Sequence, residues 1–206
     1  MKHGKIICSG WNYRSHLSET NKLELPKEPI IFLKPSSCLI RDGEPIVIPK
    51  GVGSIHYEAE LALIFGRTGK NISKNDAISY VSHAAVFNDV TARDLQTKAR
   101  ADGNPWCLAK GMDTFGPMSE PVPAKGLDLQ DLNVRLTLNG EVRQNANTSS
   151  MIFTVAELIS FVSRFMTVEK GDILSTGTPE GVGLLKSGDV VCASIEGVGK
   201  VCNPVL

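Results

Sequence analysis

The sequence predicts a β-rich α+β fold, built as a single domain over residues 1–206. Three observations carry that expectation. Apolar segments of strand length recur along the chain, most of them bounded by glycine or proline. Only a few segments carry helix signals, which places the chain among β-rich α+β folds rather than layered α/β ones. The Pro/Gly-rich stretches at 45–53 and 116–126 are loop-length, so they do not separate two complete cores in a 206-residue chain.

The elements follow in order. Lys5 to Ser9 reads as a short strand ended by Gly10, and Asn12 to Glu19 is polar and compatible with helix. Pro29 to Leu33 is a second strand-length apolar run, closed by Pro35. Tyr57 to Phe65 reads as one strand; because strand side chains reverse direction at each residue, Glu58 and Glu60 share one face and Tyr57, Ala59 and Leu61 the other. Asp76 to His83 reads as helix leading into the apolar run Ala84–Phe87, which reaches Asp89. Thr91-Ala92-Arg93-Asp94 has the form of a capping box with Asp in place of Glu, opening a polar helix that ends near Gly103.

Val134, Leu136 and Leu138 alternate with Arg135 and Thr137 ahead of Asn139-Gly140, a pair suited to the positive φ values of a type I′ hairpin turn. Thr154-Val155-Ala156-Glu157 is a full capping box, and Leu158, Ile159, Val162, Phe165 and Met166 follow it at helical spacing. Short strands return at 172–175, 189–195 and 200–205.

Composition excludes several function classes. Lys+Arg and Asp+Glu both number 22, so no basic excess is present to neutralise phosphates, and neither nucleic acid nor an anionic membrane is an expected partner. Apolar runs such as Leu61–Phe65 fall far short of the ~18 residues of a membrane span, and the N-terminus has no signal-peptide pattern. Five scattered cysteines without a C-x-x-C argue against zinc and against a disulfide framework, and favour a reducing, cytoplasmic setting. Cys8, Cys107 and Cys192 adjoin apolar residues and read as small core residues.

Several residues carry potential chemistry. Glu58 and Glu60 lead into an apolar strand, and Asp89 ends another apolar run; together such carboxylates would select a hard cation, Mg²⁺, Mn²⁺ or Ca²⁺. By themselves, Glu58 and Glu60 equally suit the solvated face of an edge strand. His16 and Glu19 would share a helix face, where a carboxylate can orient an imidazole as general base, although an exposed pair has the same spacing. Lys110 follows the apolar stretch Trp106–Ala109, at a pocket edge or on the surface. Ser175 to Gly183 is a glycine-rich loop able to cradle a carboxylate, or simply a turn.

The order of these motifs resembles the fumarylacetoacetate hydrolase family, most of all its small acylpyruvate hydrolase and oxaloacetate decarboxylase branch. The resemblance runs from about Lys5 to the C-terminus. It is carried by Gly10-Trp11-Asn12-Tyr13-Arg14-Ser15-His16, Pro29–Pro35, His56-Tyr57-Glu58-Ala59-Glu60-Leu61, Asn88–Gln96, Trp106–Phe115, Asn147–Phe153, Gly171–Leu174 and Thr176–Gly183. It implies a mixed β-sandwich roll, usually a homodimer, with one divalent cation per subunit, Mg²⁺ or Mn²⁺. It assigns Glu58, Glu60 and Asp89 to the metal, Lys110 to the active-site lysine, and His16 with Glu19 to a catalytic dyad. Gly177 and Thr178 match the substrate-binding turn, and Arg93 and Gln96 match polar pocket residues.

The implied reaction is C–C cleavage of a 2,4-dioxo or β-keto acid, by acylpyruvate hydrolysis or oxaloacetate decarboxylation, through a metal-bound enolate. A 2-hydroxyhepta-2,4-diene-1,7-dioate isomerase is the alternative on the same scaffold, and a non-catalytic metal-binding β protein is the alternative outside it. The chain matches the family's short members, which lack the extra N-terminal domain of the longer ones.

Overall fold

The computed structural model describes residues 4–15 and 24–206. Its strands in chain order are β1 (Ile6–Gly10), β2 (Ile30–Lys34), β3 (Leu39–Ile40), β4 (Ile55–Tyr57), β5 (Ala59–Phe65), β6 (Val81–Asn88), β7 (Thr91–Ala92), β8 (Gly116–Pro117), β9 (Val122–Pro123), β10 (Asn133–Leu138), β11 (Glu141–Asn147), β12 (Ile173–Ser175), β13 (Gly183–Leu185), β14 (Val190–Ile195) and β15 (Gly199–Pro204). The α-helices that lie wholly within the described residues are α1 (Arg93–Ala101), α2 (Cys107–Lys110) and α3 (Val155–Phe165).

A six-stranded sheet has the order β2-β1-β12-β5-β6-β9, and a four-stranded sheet the order β11-β10-β14-β15. Smaller sheets pair β13-β4-β7 and β3-β8. The β-rich expectation holds: beyond Glu60, β5 is the unbroken apolar run Leu61–Phe65 because it lies inside the large sheet and is buried on both faces.

The two faces of that sheet carry different residues. Ile7, Leu174, Leu61, Leu63, Ala84 and Val86 belong to the main core, with β10, β14 and α3. Ile6, Cys8, Ile173, Ala62, Ile64, Ala85 and Phe87 form a second cluster on the opposite face, joined by Phe32. That second face is concave. Lys34 on β2 hydrogen-bonds Asp89, just past β6, although three strands lie between β2 and β6. On a flat sheet the two would be about 19 Å apart, beyond a lysine's reach, so the sheet must curl back on itself. Small residues on the inner face, Cys8, Ala62 and Ala85, leave room for the curl.

Several expectations need correction. Tyr57–Phe65 is two strands, not one. The break falls at Glu58, whose N–H donates to Asn88 Oδ1 (2.9 Å) and whose C=O accepts from Asp89 N (2.8 Å) in place of a continuous ladder. The expected helix at Asp76–His83 is a 3₁₀ turn over Ala77–Tyr80, and Val81 already begins β6. Pairing of His83 with Ile64 and of Val81 with Phe65 outweighs the local helix signal. Thr91 does not cap α1: it lies in β7, its hydroxyl donates to the Asp89 carbonyl (2.8 Å), and the residue ahead of the helix is Ala92.

Cys192 and Cys202 form a disulfide, against the expectation of none. They lie opposite each other across β14 and β15, a juxtaposition that exists only once the hairpin register is set. Cys192 is therefore no core thiol, and Cys107 is exposed, whereas Cys8 is buried as expected. Two local signals hold in full. Asn139 and Gly140 have φ of 53° and 85° in the β10–β11 turn, and Thr154 with Glu157 forms a complete capping box on α3. Among the described residues, no helix is long and apolar enough to cross a membrane.

Candidate metal centre

The inner face of the curled sheet ends in carboxylates. Strand alternation places Glu60 on the side that carries Ala62 and Ile64, and Asp89 continues the row of Ala85 and Phe87. Glu58 enters from the break between β4 and β5. One oxygen from each of Glu58, Glu60 and Asp89 can be chosen so that all lie within 4.8 Å of one another. All three are buried, which excludes the edge-strand alternative for Glu58 and Glu60.

Cations surround two of the carboxylates. Lys110 Nζ donates to Glu58 Oε2 (2.8 Å) and Asp89 Oδ2 (2.6 Å). Lys34 Nζ donates to Asp89 Oδ1 (2.6 Å) and to the Val90 carbonyl (3.1 Å). Arg93 donates to Glu58 Oε1 through Nη2 and to Gln96 Oε1 through Nη1 (2.6 Å). Burial works against the charge of Lys110, but Asp89 and Glu58 outweigh it and hold the ammonium above the ordinary lysine range.

Glu60 differs from the other two. Its Oε2 accepts from neutral donors, Ser175 Oγ (2.5 Å) and Gly177 N (2.9 Å). Burial, then the charges of Asp89 and Glu58, push its carboxyl up to about 8. Cys8, just behind, has its thiol held well above the ordinary range by burial first and by Asp89 and Glu60 next, so it is inert as a nucleophile.

The glycine-rich loop is pinned from two sides. Asn12 Nδ2 donates to the carbonyls of Thr176 (2.9 Å) and Phe153 (3.0 Å). Gln144 Nε2 donates to Thr178 Oγ1 (2.8 Å), and its Oε1 accepts from Ala59 N (2.9 Å). Gly177 has φ of 95°, and a Cβ there would sit 2.8 Å from that of Asn12, so the position demands glycine.

A small cavity of about 20 Å³ opens onto the three carboxylates, walled by Ser9, Trp11, Phe32, Trp106 and Thr178, with Gln96 and Arg93 at the α1 side. The residues present fit a divalent cation. Three carboxylates form the all-oxygen donor set that hard cations take, and their oxygens keep lone pairs beyond those engaged by Lys and Arg. The raised Glu60 carboxyl reflects burial first and then the charges of Asp89 and Glu58, and a bound cation would offset both. Ser9 Oγ, buried at the cavity wall, has no hydrogen-bond partner among the described residues, the mark of a site shaped for a polar ligand.

The structure thus brings together Glu58, Glu60, Asp89, Lys110, Arg93, Gln96, Gly177 and Thr178. His16 and Glu19 lie outside the described residues. Sequence reasoning gave no individual role to Lys34, Ser9, Gln144 or Asn12. For Lys34 a signal existed: a charged residue closes the apolar run Ile30–Leu33, as Asp89 follows β6.

The fumarylacetoacetate hydrolase C-terminal family model matches residues 5–206. The chain belongs to the fumarylacetoacetate hydrolase family. Among relatives, the mitochondrial oxaloacetate tautomerase FAHD1 of Arabidopsis thaliana is 45% identical, over 96% of this chain and 88% of that protein. Among solved structures, the fumarylpyruvate hydrolase of Pseudomonas aeruginosa in complex with Mn²⁺ and pyruvate superposes with a TM-score of 0.95 at 32% identity, covering 99% of this chain and 90% of that one. The 2-hydroxyhepta-2,4-diene-1,7-dioate isomerase of Mycobacterium marinum has a TM-score of 0.88 at 38% identity, covering 99% and 75%. Family membership makes the chain a metal-dependent enzyme of the hydrolase, isomerase or tautomerase kind, with a buried acidic triad able to bind a divalent metal.

Proposed function

We propose that this enzyme cleaves a C–C bond in a small 2,4-dioxo or β-keto acid, by acylpyruvate hydrolysis or oxaloacetate decarboxylation, through an enolate. The observation that carries the reading is the charge balance of the centre. Glu58, Glu60 and Asp89 are matched by Lys34, Lys110 and Arg93. A divalent cation, Mg²⁺ or Mn²⁺, held by the three carboxylates supplies two further positive charges and Lewis acidity at a 2-oxo acid. The substrate's own carboxylate and a developing enolate oxygen are the two negative charges that restore neutrality.

The chain's residues then divide the work. Lys110, buried and held in its charged form, is a fixed positive charge beside the reacting atoms. Arg93 and Gln96 on one side, and Thr178 on the other, offer polar contacts that orient the substrate across the cavity, while Gly177 gives its N–H to Glu60. His16, oriented by Glu19, takes a proton from water for attack on the acyl carbonyl. Decarboxylation needs no such water, so the two reactions separate at His16. The working unit is a homodimer of single-domain subunits.

The test is pyruvate release from acetylpyruvate and from oxaloacetate with Mg²⁺ or Mn²⁺, repeated with EDTA. EDTA-sensitive release from acetylpyruvate supports the hydrolase. Release from neither, with metal bound, refutes C–C cleavage. A second reading, keto–enol tautomerisation of oxaloacetate, is favoured by the name of the 45%-identical Arabidopsis relative. It needs the same enolate and no bond cleavage, and predicts fast decay of enol absorbance without pyruvate.

A further inference from the structure

We propose that Phe32 is a positioning residue for the reaction: the face of its ring holds the Lys110 ammonium at the cavity without neutralising it. This rests on the 2-oxo acid reading above and adds what fixes its central cation.

Lys110 needs such a support. It is the last residue of α2, a helix of 4 residues, and a lysine head rides on a flexible stem. Nζ gives two of its N–H groups to Glu58 Oε2 (2.8 Å) and Asp89 Oδ2 (2.6 Å). An ammonium has a third N–H, and among the described residues it has no hydrogen-bond acceptor. The other contact of the ammonium is the Phe32 ring, whose centroid lies 4.9 Å from Nζ.

That ring comes from the strand that also supplies Lys34. Phe32 and Lys34 are two apart on β2, so both project to the concave face of the sheet. Lys34 Nζ in turn lies 5.9 Å from the centroid of Phe87, so each buried ammonium of the centre has a phenyl ring beside it. Phe32 is fixed from two directions. Its backbone is in register with Cys8 of β1, and its ring packs on Trp106 at 5.5 Å. The Trp106 carbonyl accepts from Lys110 N (3.1 Å), so Trp106, Phe32 and Lys110 form a closed circuit of contacts. All three border the cavity.

An aromatic face suits this place better than a polar side chain. Its quadrupole attracts an ammonium, most strongly where water is excluded, yet it carries no net charge. A third carboxylate would cancel the Lys110 charge and take up the remaining N–H. Phe32 leaves both available to an oxygen of a bound 2-oxo acid.

The experiment replaces Phe32 with mono-, tri- and pentafluorinated phenylalanine, which drain the ring face stepwise at nearly constant shape. Calorimetry then measures pyruvate binding to the Mn²⁺-loaded protein. Pyruvate affinity should fall in that order, by about tenfold for the pentafluorinated ring, while Mn²⁺ affinity stays that of wild type. Phe32→Leu, which removes the ring altogether, should bind pyruvate as weakly as the pentafluorinated protein. The gradient should vanish in Lys110→Met, where no ammonium faces the ring. Equal pyruvate affinity across the fluorinated series, a parallel fall in Mn²⁺ affinity, or a gradient that survives in Lys110→Met overturns the role of Phe32 and leaves the 2-oxo acid reading intact. Failure of wild type to bind pyruvate where Mn²⁺ does bind overturns that reading and the role of Phe32 together.

Discussion

Replacing Lys34 with methionine tests whether the buried ion pairs belong to the centre or merely hold the sheet together. Lys34 is fully buried and donates to Asp89 Oδ1 at 2.6 Å, so the substitution leaves a buried carboxylate short of one partner. Breaking such a pair costs about 3–5 kcal/mol. Asp89 keeps Lys110 at 2.6 Å, so the lower end of that range applies. A loss of about 3 kcal/mol lowers the Tm of a chain of this size by about 6–12 °C. The second effect has the opposite sign. With Lys34 gone, Asp89 Oδ1 no longer divides itself between an ammonium and a metal, so Mn²⁺ should bind more tightly. Tenfold tighter binding is worth about 1.4 kcal/mol by mass action, or about 3–6 °C of additional Mn²⁺-induced stabilisation. Differential scanning calorimetry with and without Mn²⁺ reads both quantities. A loss below about 1 kcal/mol would contradict the buried pairing. An equal Mn²⁺ gain in wild type and variant would show that Asp89 Oδ1 is not a metal ligand.

Glu60→Gln should abolish Mn²⁺-induced stabilisation and activity together, read by thermal shift and pyruvate release; a variant that still gains stability with Mn²⁺ would remove Glu60 from the ligand set. His16→Ala should leave the Mn²⁺ shift intact and eliminate acylpyruvate hydrolysis while sparing decarboxylation, and intact hydrolysis would rule out the assigned dyad. Thr154→Ala removes the cap of α3 and should cost about 1 kcal/mol, a Tm drop of about 2–4 °C. The same box has a pH signature: the Lys74 ammonium, then the Thr154 N–H, holds the Glu157 carboxyl below its ordinary value. Its contribution is present above the unfolded-state pKa and fades as pH falls through the lower folded-state value, so Glu157→Gln and wild type should converge in stability in acid.

What could be read from the residues alone was whatever closes within one turn of chain. The Asn139-Gly140 turn, the Thr154–Glu157 box and the buried run of β5 depend on neighbours a few residues away, and each is found as expected. The grouping of Glu58, Glu60 and Asp89 was legible only through the resemblance of the motifs around them, since no spacing rule brings residues 58 and 89 together. Tertiary structure decided the rest. Pairing with β5 turned the helix-like 76–83 segment into the start of β6, and hairpin register set Cys192 against Cys202. Curling of the six-stranded sheet carried Lys34 across to Asp89, three strands beyond its neighbour in the sheet. These outcomes share a physical cause: strand pairing and sheet curvature join residues far apart in the chain, so the partner that stabilises a residue is not among those that flank it.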